Sequence, residues 1–230
     1  MKSIAANPVK KIQTTKKIAL LPAPYTFPAV LEPLFRGALI RVPVRSPELF
    51  LTFDDGPTPG VTPWVLDVLD RYNARAVFFL VGQKAERHPR LVESILERGH
   101  RIGNHTFHHL NGWKTPLRKY LTDVEKATSV LSAYIQDQRP LFRPPYGRLG
   151  FGQFRALKQN YRIVLWKRLS LDYNPAVQPR KILRYLSNNI HPGDIIVFHD
   201  STKSFPKLKQ ILPPLLENWH KEGYSFKNDF

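Results

Sequence analysis

Residues 51–57 read Leu-Thr-Phe-Asp-Asp-Gly-Pro (LTFDDGP). An apolar run ends there in two adjacent carboxylates, Asp54 and Asp55, followed at once by a Gly-Pro turn. Aromatic and β-branched residues suit a strand, and Asp, Gly and Pro suit a turn, so the stretch reads as the C-terminal mouth of a buried strand. Two like charges in sequence neighbours repel, and their position needs a chemical reason.

From residue 48 onward, short apolar runs alternate with amphipathic segments. Strands are expected at ELFLTF (48–53), RAVFFLV (75–81), HRIGN (100–104), LFR (141–143), YRIVLW (161–166) and GDIIVF (193–198). Helices are expected at TPWVLDVLDRYN (62–73), with Thr62 as N-cap and Pro63 first in the helix, and at HPRLVESILERG (88–99). In the latter Leu91, Ile95 and Leu96 fall at helical spacing and Gly99 is the stop. Further helices are expected at 115–135, again with a Thr-Pro start, at 151–160, at 179–190, and as a proline-interrupted helix over 205–223. Strand and helix thus alternate six times. That pattern specifies an α/β fold with a parallel sheet and helical crossovers, either a barrel or a doubly wound sheet.

The chemistry-bearing residues fall on this map in one class of place. Asp54 and Asp55 follow the first strand, His105, His108 and His109 the third, Arg143 and Tyr146 the fourth, Asp172 the fifth, and His199 and Asp200 the sixth. C-terminal strand ends in parallel α/β folds line one face, where active sites are built. In HTFHH (105–109) two histidines lie four apart, so one helical turn is expected to bring His105 and His109 to one side. Two imidazoles and a carboxylate make a three-ligand metal site with open positions. One aspartate then binds metal and the other is free to act as general base, and a cation relieves their repulsion. His108 reads as a solvated bystander, and His88, His100 and Trp64 as structural residues.

The chain carries 35 basic and 18 acidic residues, a net charge of +17, which favours anionic partners. There is no cysteine, hence no disulfide or thiolate chemistry. Residues 1–47 read as a basic, proline-broken arm whose apolar part packs on the main body, with Lys10, Lys11, Lys16 and Lys17 clustered in it. Its apolar stretch, residues 18–23, is short and contains Pro22, so no signal peptide or transmembrane helix is expected from it. Nucleic-acid binding has only the charge in its favour, without interleaved aromatic and basic residues or a binding motif.

TFDDGP (52–57), HTFHH (105–109), RPPYG (143–147) and VFH (197–199), in that order, resemble the successive motifs of the polysaccharide deacetylases, the NodB-homology family (carbohydrate esterase family 4). FFLVG (78–82) and GHRIGNH (99–105) are similar to its connecting segments. The resemblance covers roughly residues 48–225. It implies a distorted (β/α) barrel of the NodB-homology type over 48–230 and removal of N-acetyl groups from an N-acetylated polysaccharide or oligosaccharide, peptidoglycan- or chitin-like, with release of acetate. It also implies a divalent metal, foremost Zn2+, with Co2+, Ni2+ or Mn2+ as substitutes. Asp54 matches the catalytic base, Asp55, His105 and His109 the metal ligands, Arg143 the arginine that holds the base, and His199 the catalytic acid. Substrate contacts are implied at Pro145, Tyr146, Tyr173 and Val197.

The fourth motif departs. The family's Asp-x-x-Asp-Trp stands here as LSLDY (169–173), which keeps Asp172 but has Leu169 and Tyr173, and Lys167 occupies a place where an acid is common. Loss of a carboxylate there would lower the basicity of His199 unless Asp172 supplies it. A catalytically weakened, metal-binding carbohydrate-recognition protein on the same scaffold is therefore the alternative. A polymer substrate would place the protein in the cell envelope, and the basic arm would meet anionic envelope polymers or a membrane surface.

Overall fold

The computed structural model describes residues 26, 27 and 29–230. The arm's lysine cluster and its apolar stretch 18–23 lie outside the described residues. No helix among the described residues is long and apolar enough to cross a membrane.

The sheet is built on β1 (Glu48–Asp54), an interior strand paired on both sides. On one side follow β2 (Ala76–Leu80), β3 (Arg101–Asn104), β4 (Leu141–Phe142) and β5 (Arg162–Ile163). On the other lie β7 (Ile195–His199) and β6 (Arg168–Leu169), and β8 (Ser225–Phe226) pairs with Glu48 and Leu49. Every ladder is parallel. The edge strands β5 and β6 are consecutive in the chain, so the sheet curls into a half-barrel whose two edges are joined by residues 164–167. Leu39 sits against that joint: its N–H donates to the Ile163 carbonyl and its carbonyl accepts from Leu165 N–H. This resolves the strand expected over 161–166. Only two of its residues pair in the ladder, because the chain leaves one edge there to reach the other, and Asp172 follows β6.

Strands β2 and β7 are apolar runs without alternation, as expected of strands covered on both faces. The covering helices are α1 (Thr62–Asp70), α2 (Gly82–Arg87), α3 (Pro89–Glu97), α4 (Leu117–Leu131), α5 (Phe151–Asn160), α6 (Pro179–Asn188) and α7 (Phe205–Lys221). The last runs through Pro213 and Pro214 as one helix, held by the buried Leu208, Ile211, Leu212, Leu215, Leu216 and Trp219. In α3, Val92 and Ile95 are the buried pair, with Leu96 at the rim of the core. The Thr-Pro starts do not cap as expected. Val61 and Pro116 hold the cap positions. The Thr62 hydroxyl instead accepts from Thr58 N–H at 2.7 Å and donates to Asp200 Oδ2 at 2.5 Å, and Thr115 donates to the Asn111 carbonyl at 2.8 Å.

Ahead of β1, Thr26, Leu39 and Arg41 bridge to Arg168, Val164 and Asp194. Phe27 is buried edge-on between Phe35 and Trp166. Arg41 Nη2 reaches the fully buried Asp194 at 2.6 Å, and Arg168 Nε reaches its other oxygen at 2.9 Å. One carboxylate at the start of β7 therefore ties the entering chain to the β6 edge. Between sheet and helices, Phe53 stacks on Phe78 (5.0 Å between centroids) and Phe198 (5.7 Å), joining β1, β2 and β7.

Phe53→Ala removes the ring common to three strands from a site with no exposed surface. A loss of about 3–5 kcal/mol in unfolding free energy is expected from denaturant titration. A loss under about 1 kcal/mol would show that the layer repacks and that Phe53 is not its keystone.

Candidate active site

Register brings the site together. Asp54 of β1 pairs with His199 of β7, Leu80 with Asn104, and Asn104 with Phe142. The residues that follow these, Asp55, His105 and Arg143, leave the sheet together at one rim. At Asp55 the backbone turns left-handed (φ 77), so its side chain diverges from that of Asp54.

Arg143 is fully buried. Nη1 donates to Asp54 Oδ1 (2.8 Å) and Thr52 Oγ1 (2.7 Å), Nε to the Val164 carbonyl (3.2 Å) and Nη2 to the Leu165 carbonyl (2.9 Å). The guanidinium lies 4.1 Å from the centroid of Phe79. Burial lowers its pKa, and the Asp54 carboxylate opposes that shift. Asp54 thus has one oxygen fixed, while Oδ2 lies 4.0 Å from His105 Nε2.

His105 and His109 come together without the expected helical turn. Residues 105–110 form an irregular loop with left-handed Thr106 (φ 62) and His109 (φ 56), and the two rings stand 5.1 Å apart. Such conformations cost energy for residues with a Cβ and persist only under external restraint. The restraint is visible: Asp123 of α4 accepts from Phe107 and His108 N–H, and Asn104 Oδ1 accepts from Thr106 N–H. His108 is not a free bystander, since its Nδ1 pairs with Asp123 Oδ1 at 2.5 Å.

His105 Nδ1 donates to the Arg143 carbonyl at 2.7 Å, which leaves the Nε2 lone pair aimed at Asp55 Oδ1, 3.7 Å away. Burial pushes His105 down to about 4, against the opposing charges of Asp54 and Asp55, so it is neutral at pH 7. His109 Nε2 lies 3.0 Å from the same Asp55 oxygen. Burial alone would raise Asp55, but the His109 hydrogen bond and the charges of His199, His105 and His109 hold it well below the usual carboxylate range. Ligand atoms of Asp55, His105 and His109 all fall within 4.8 Å of one another. A neutral imidazole with its far nitrogen anchored, a second imidazole and an ionised carboxylate fit a divalent first-row cation such as zinc.

Across the cleft, Asp172 clamps His199 twice: Oδ1 to Nδ1 at 2.7 Å and Oδ2 to the backbone N–H at 2.9 Å. Burial lowers the basicity of this imidazole, but the charge and hydrogen bond of Asp172, with Asp55 and Asp54 adding, carry it up to about 9. The carboxylate expected to be missing from the fourth motif is thus supplied by Asp172. Lys167 pairs with Glu32 at 2.8 Å instead, and Leu169 lines the cleft.

The cleft between these groups, about 480 Å3, is walled by Tyr146 on the His109 side and Tyr173 on the His199 side, with Val197 between. Pro145 is buried and does not line it; with Gly147 it shapes the turn that carries Tyr146 at φ 60. Trp166, Arg148 and Lys203, which sequence reasoning did not single out, also line the cleft. Trp166 is seated by Gly147, where a Cβ would meet its ring at 2.2 Å. Asp123 had a signal in the sequence, as an acid within the apolar stripe of Tyr120, Val124 and Ala127.

A model of the family described as polysaccharide deacetylase matches residues 41–160. A peptidoglycan-N-acetylglucosamine deacetylase of Bacillus cereus is 35% identical over 190 residues, covering 81% of this chain and 88% of that one. A chitooligosaccharide deacetylase of Azorhizobium caulinodans is 31% identical over 172 residues, covering 71% and 79%. Among solved structures, a peptidoglycan N-acetylglucosamine deacetylase superposes with a TM-score of 0.73 at 31% identity, over 87% of this chain and 94% of that one.

The His199–Asp172 pair sets a pH dependence. The folded pKa, about 9, lies above the ordinary histidine value of about 6.5, so the pair's stabilisation is complete below about 6.5 and is lost as pH rises through 9. In metal-free protein, an NMR titration is expected to give a His199 midpoint near 9 that falls in Asp172→Asn, where burial is opposed by the charges of Asp55 and Asp54 alone. An unchanged midpoint in the variant would remove Asp172 from this role.

Proposed function

The chain belongs to the polysaccharide deacetylase family, and we propose that it is a metal-dependent hydrolase that removes N-acetyl groups from an N-acetylated glycan of the peptidoglycan or chitin type. The observation that carries this reading is the pairing of Asp54 with His199 across β1 and β7, each clamped from behind by a buried partner of opposite charge, on either side of the Asp55–His105–His109 cluster.

Each residue then has a role that its surroundings support. Asp55 Oδ1 and the Nε2 atoms of His105 and His109 would hold the cation. A divalent cation bound there supplies Lewis acidity toward the acetamide carbonyl and lowers the pKa of water. Asp54, oriented by Arg143, takes the proton of the attacking water on Oδ2, the oxygen that Arg143 leaves free. His199 is protonated at neutral pH, and with Nδ1 engaged by Asp172 it presents Nε2–H to the leaving amine. Tyr146 and Tyr173 flank the reacting sugar, and Val197, with Leu169, offers an apolar wall for the acetyl methyl. The products are a free amino sugar and acetate. The recognition-only alternative is not favoured, because the histidine that would act as acid keeps its carboxylate. In the same reading residues 48–230 carry the catalysis, and the basic residues of 1–47 face anionic envelope polymers.

Zinc-loaded protein is expected to release acetate from chito-oligosaccharides or peptidoglycan fragments. No release from any N-acetylated glycan in such a panel, at full metal occupancy, would overturn the reading.

The two aspartates should separate in a paired assay of metal content and rate. Asp54→Asn is expected to keep the metal and lose most turnover, since an amide cannot accept the proton. Asp55→Asn and His109→Ala are expected to lose metal affinity, with partial rescue of Asp55→Asn by excess zinc. His199→Ala should bind metal normally and lose roughly 10²–10⁴-fold in rate. Equal metal content and equal rate in Asp54→Asn and Asp55→Asn would refute the division of labour.

A further inference from the structure

Beyond the cleft, a second surface is built with more care than a solvent-facing loop requires. Trp113 is 68% exposed, yet its ring is fixed: Nε1 donates to the Leu149 carbonyl at 3.3 Å, and its backbone N–H donates to Asn111 Oδ1 at 3.1 Å. The turn that carries it, Gly112–Lys114, is seated so closely on residue 148 that a Cβ at Gly112 would meet the Arg148 carbonyl at 2.3 Å. The buried Gln153 binds the same turn from below, donating to the Gly112 carbonyl at 2.9 Å and the Thr115 carbonyl at 3.0 Å. An exposed indole hydrogen-bonded at its ring nitrogen and carried on a turn that the buried Gln153 holds has already given up much of its freedom, so a ligand that stacks on it meets little further entropic cost.

This surface is continuous with the cleft. The Arg148 guanidinium lies 5.2 Å from the Trp113 ring centre and 5.9 Å from that of Tyr146, and Tyr146 stands 4.7 Å from His109. Arg148 therefore sits between the cleft wall and the indole, held against two aromatic faces. On the opposite wall Lys203 lies 5.9 Å from the Tyr173 ring. Among the described residues neither cation makes an ion pair, whereas Arg41, Arg98, Arg101, Arg143, Lys167 and Arg168 all do. Two unneutralised cations at the mouth of a cleft favour an anionic ligand.

Resting on the deacetylase reading above, we propose that the strip from Tyr146 through Arg148 to Trp113 is an extended subsite that binds a carboxylate-bearing sugar unit of the glycan, next to the unit that loses its acetyl group. Trp113 stacks on the sugar ring and Arg148 pairs with the carboxylate. Binding energy gained on this remote unit orients the acetamide, so chain length acts on kcat as well as KM.

The test uses zinc-loaded full-length protein, as wild type, Trp113→Ala, Trp113→Tyr and Arg148→Gln. The ligands are N-acetylglucosamine, chitotetraose and a peptidoglycan tetrasaccharide with free carboxylates. Deacetylation rates and calorimetric binding are both measured. Trp113→Ala is expected to lower kcat/KM and affinity for both tetrasaccharides roughly tenfold relative to the monosaccharide, with Trp113→Tyr restoring most of the loss. Arg148→Gln is expected to weaken the acidic tetrasaccharide several-fold more than the neutral one, and to reduce the salt dependence of its binding. The proposal is overturned if Trp113→Ala leaves affinity and kcat/KM for both tetrasaccharides at the wild-type level, if Arg148→Gln affects both tetrasaccharides alike, or if the wild type binds neither. Wild-type binding that shows these variant effects without acetate release would uphold the subsite and reject the deacetylase reading.

Discussion

A guanidinium with no exposed surface organises this molecule. Arg143 binds the side chains of Thr52 and Asp54 on β1 and the carbonyls of Val164 and Leu165 in the joint between the sheet's edges, while its own carbonyl orients His105. Taking a cation out of water costs several kcal/mol, and the cost is offset only when its hydrogen bonds are satisfied and a counter-charge stands close. Asp54 is that counter-charge. The constraint runs both ways. The arginine requires the Asp54 carboxylate in one place, and it requires the chain to leave the ladder at residues 164–165 with its carbonyls turned inward. The open, curled form of the sheet and the orientation of the candidate base thus depend on the same buried group.

Register does the remaining positioning. Because Asp54 pairs with His199 and Asn104 with Phe142, the residues just beyond the ladders emerge together. Past that point the chain adopts left-handed conformations at Asp55, Thr106, His109, Tyr146 and Leu171, all in or beside the site. Such strain must be held by neighbours. Buried carboxylates do much of the holding. Asp123 pins the loop of the two histidines, Asp172 pins His199, and Asp200, fully buried and raised to about 7 by that burial, lies against Gly56 so closely that a Cβ there would meet its Oδ2 at 2.1 Å. At the far end of the sheet, Asp194 holds the entering chain through Arg41 and the β6 edge through Arg168. In a chain with 35 basic and 18 acidic residues, Asp123, Asp172 and Asp194 are placed where each one orders backbone or a cation.

The same logic separates the two halves of the site electrostatically. Burial makes His105 a neutral imidazole, and a carboxylate in hydrogen-bond contact makes His199 a charged one, although both rings are nearly out of solvent. What differs is the partner at Nδ1: a backbone carbonyl for His105 and the Asp172 carboxylate for His199. A lone pair that can take a cation stands on one side of the cleft and a proton that can be donated stands on the other.

The sequence by itself determined the strand–helix alternation, the parallel sheet and the set of chemistry-bearing residues at strand ends, because burial on two faces dictates unbroken apolar runs and because turn chemistry marks where they stop. It placed Asp54, Asp55, His105, His109 and His199 in one region before any distance was known, and the ordered motifs pointed to the family. Tertiary structure alone decided the rest. The two histidines meet through a strained loop held by Asp123, which four-residue spacing cannot reveal, since the restraint comes from a helix distant in the chain. Thr62 and Thr115 looked like caps, but long-range and loop partners claimed their hydroxyls. The altered fourth motif looked weakened, and only the 2.7 Å contact from Asp172 to His199 shows that the imidazole keeps a carboxylate partner. Trp166, Arg148 and Trp113 carried no motif at all. Their places follow from how Gly147 and Gly112 let backbone and ring approach, and close approach between distant segments is a property that local sequence does not encode.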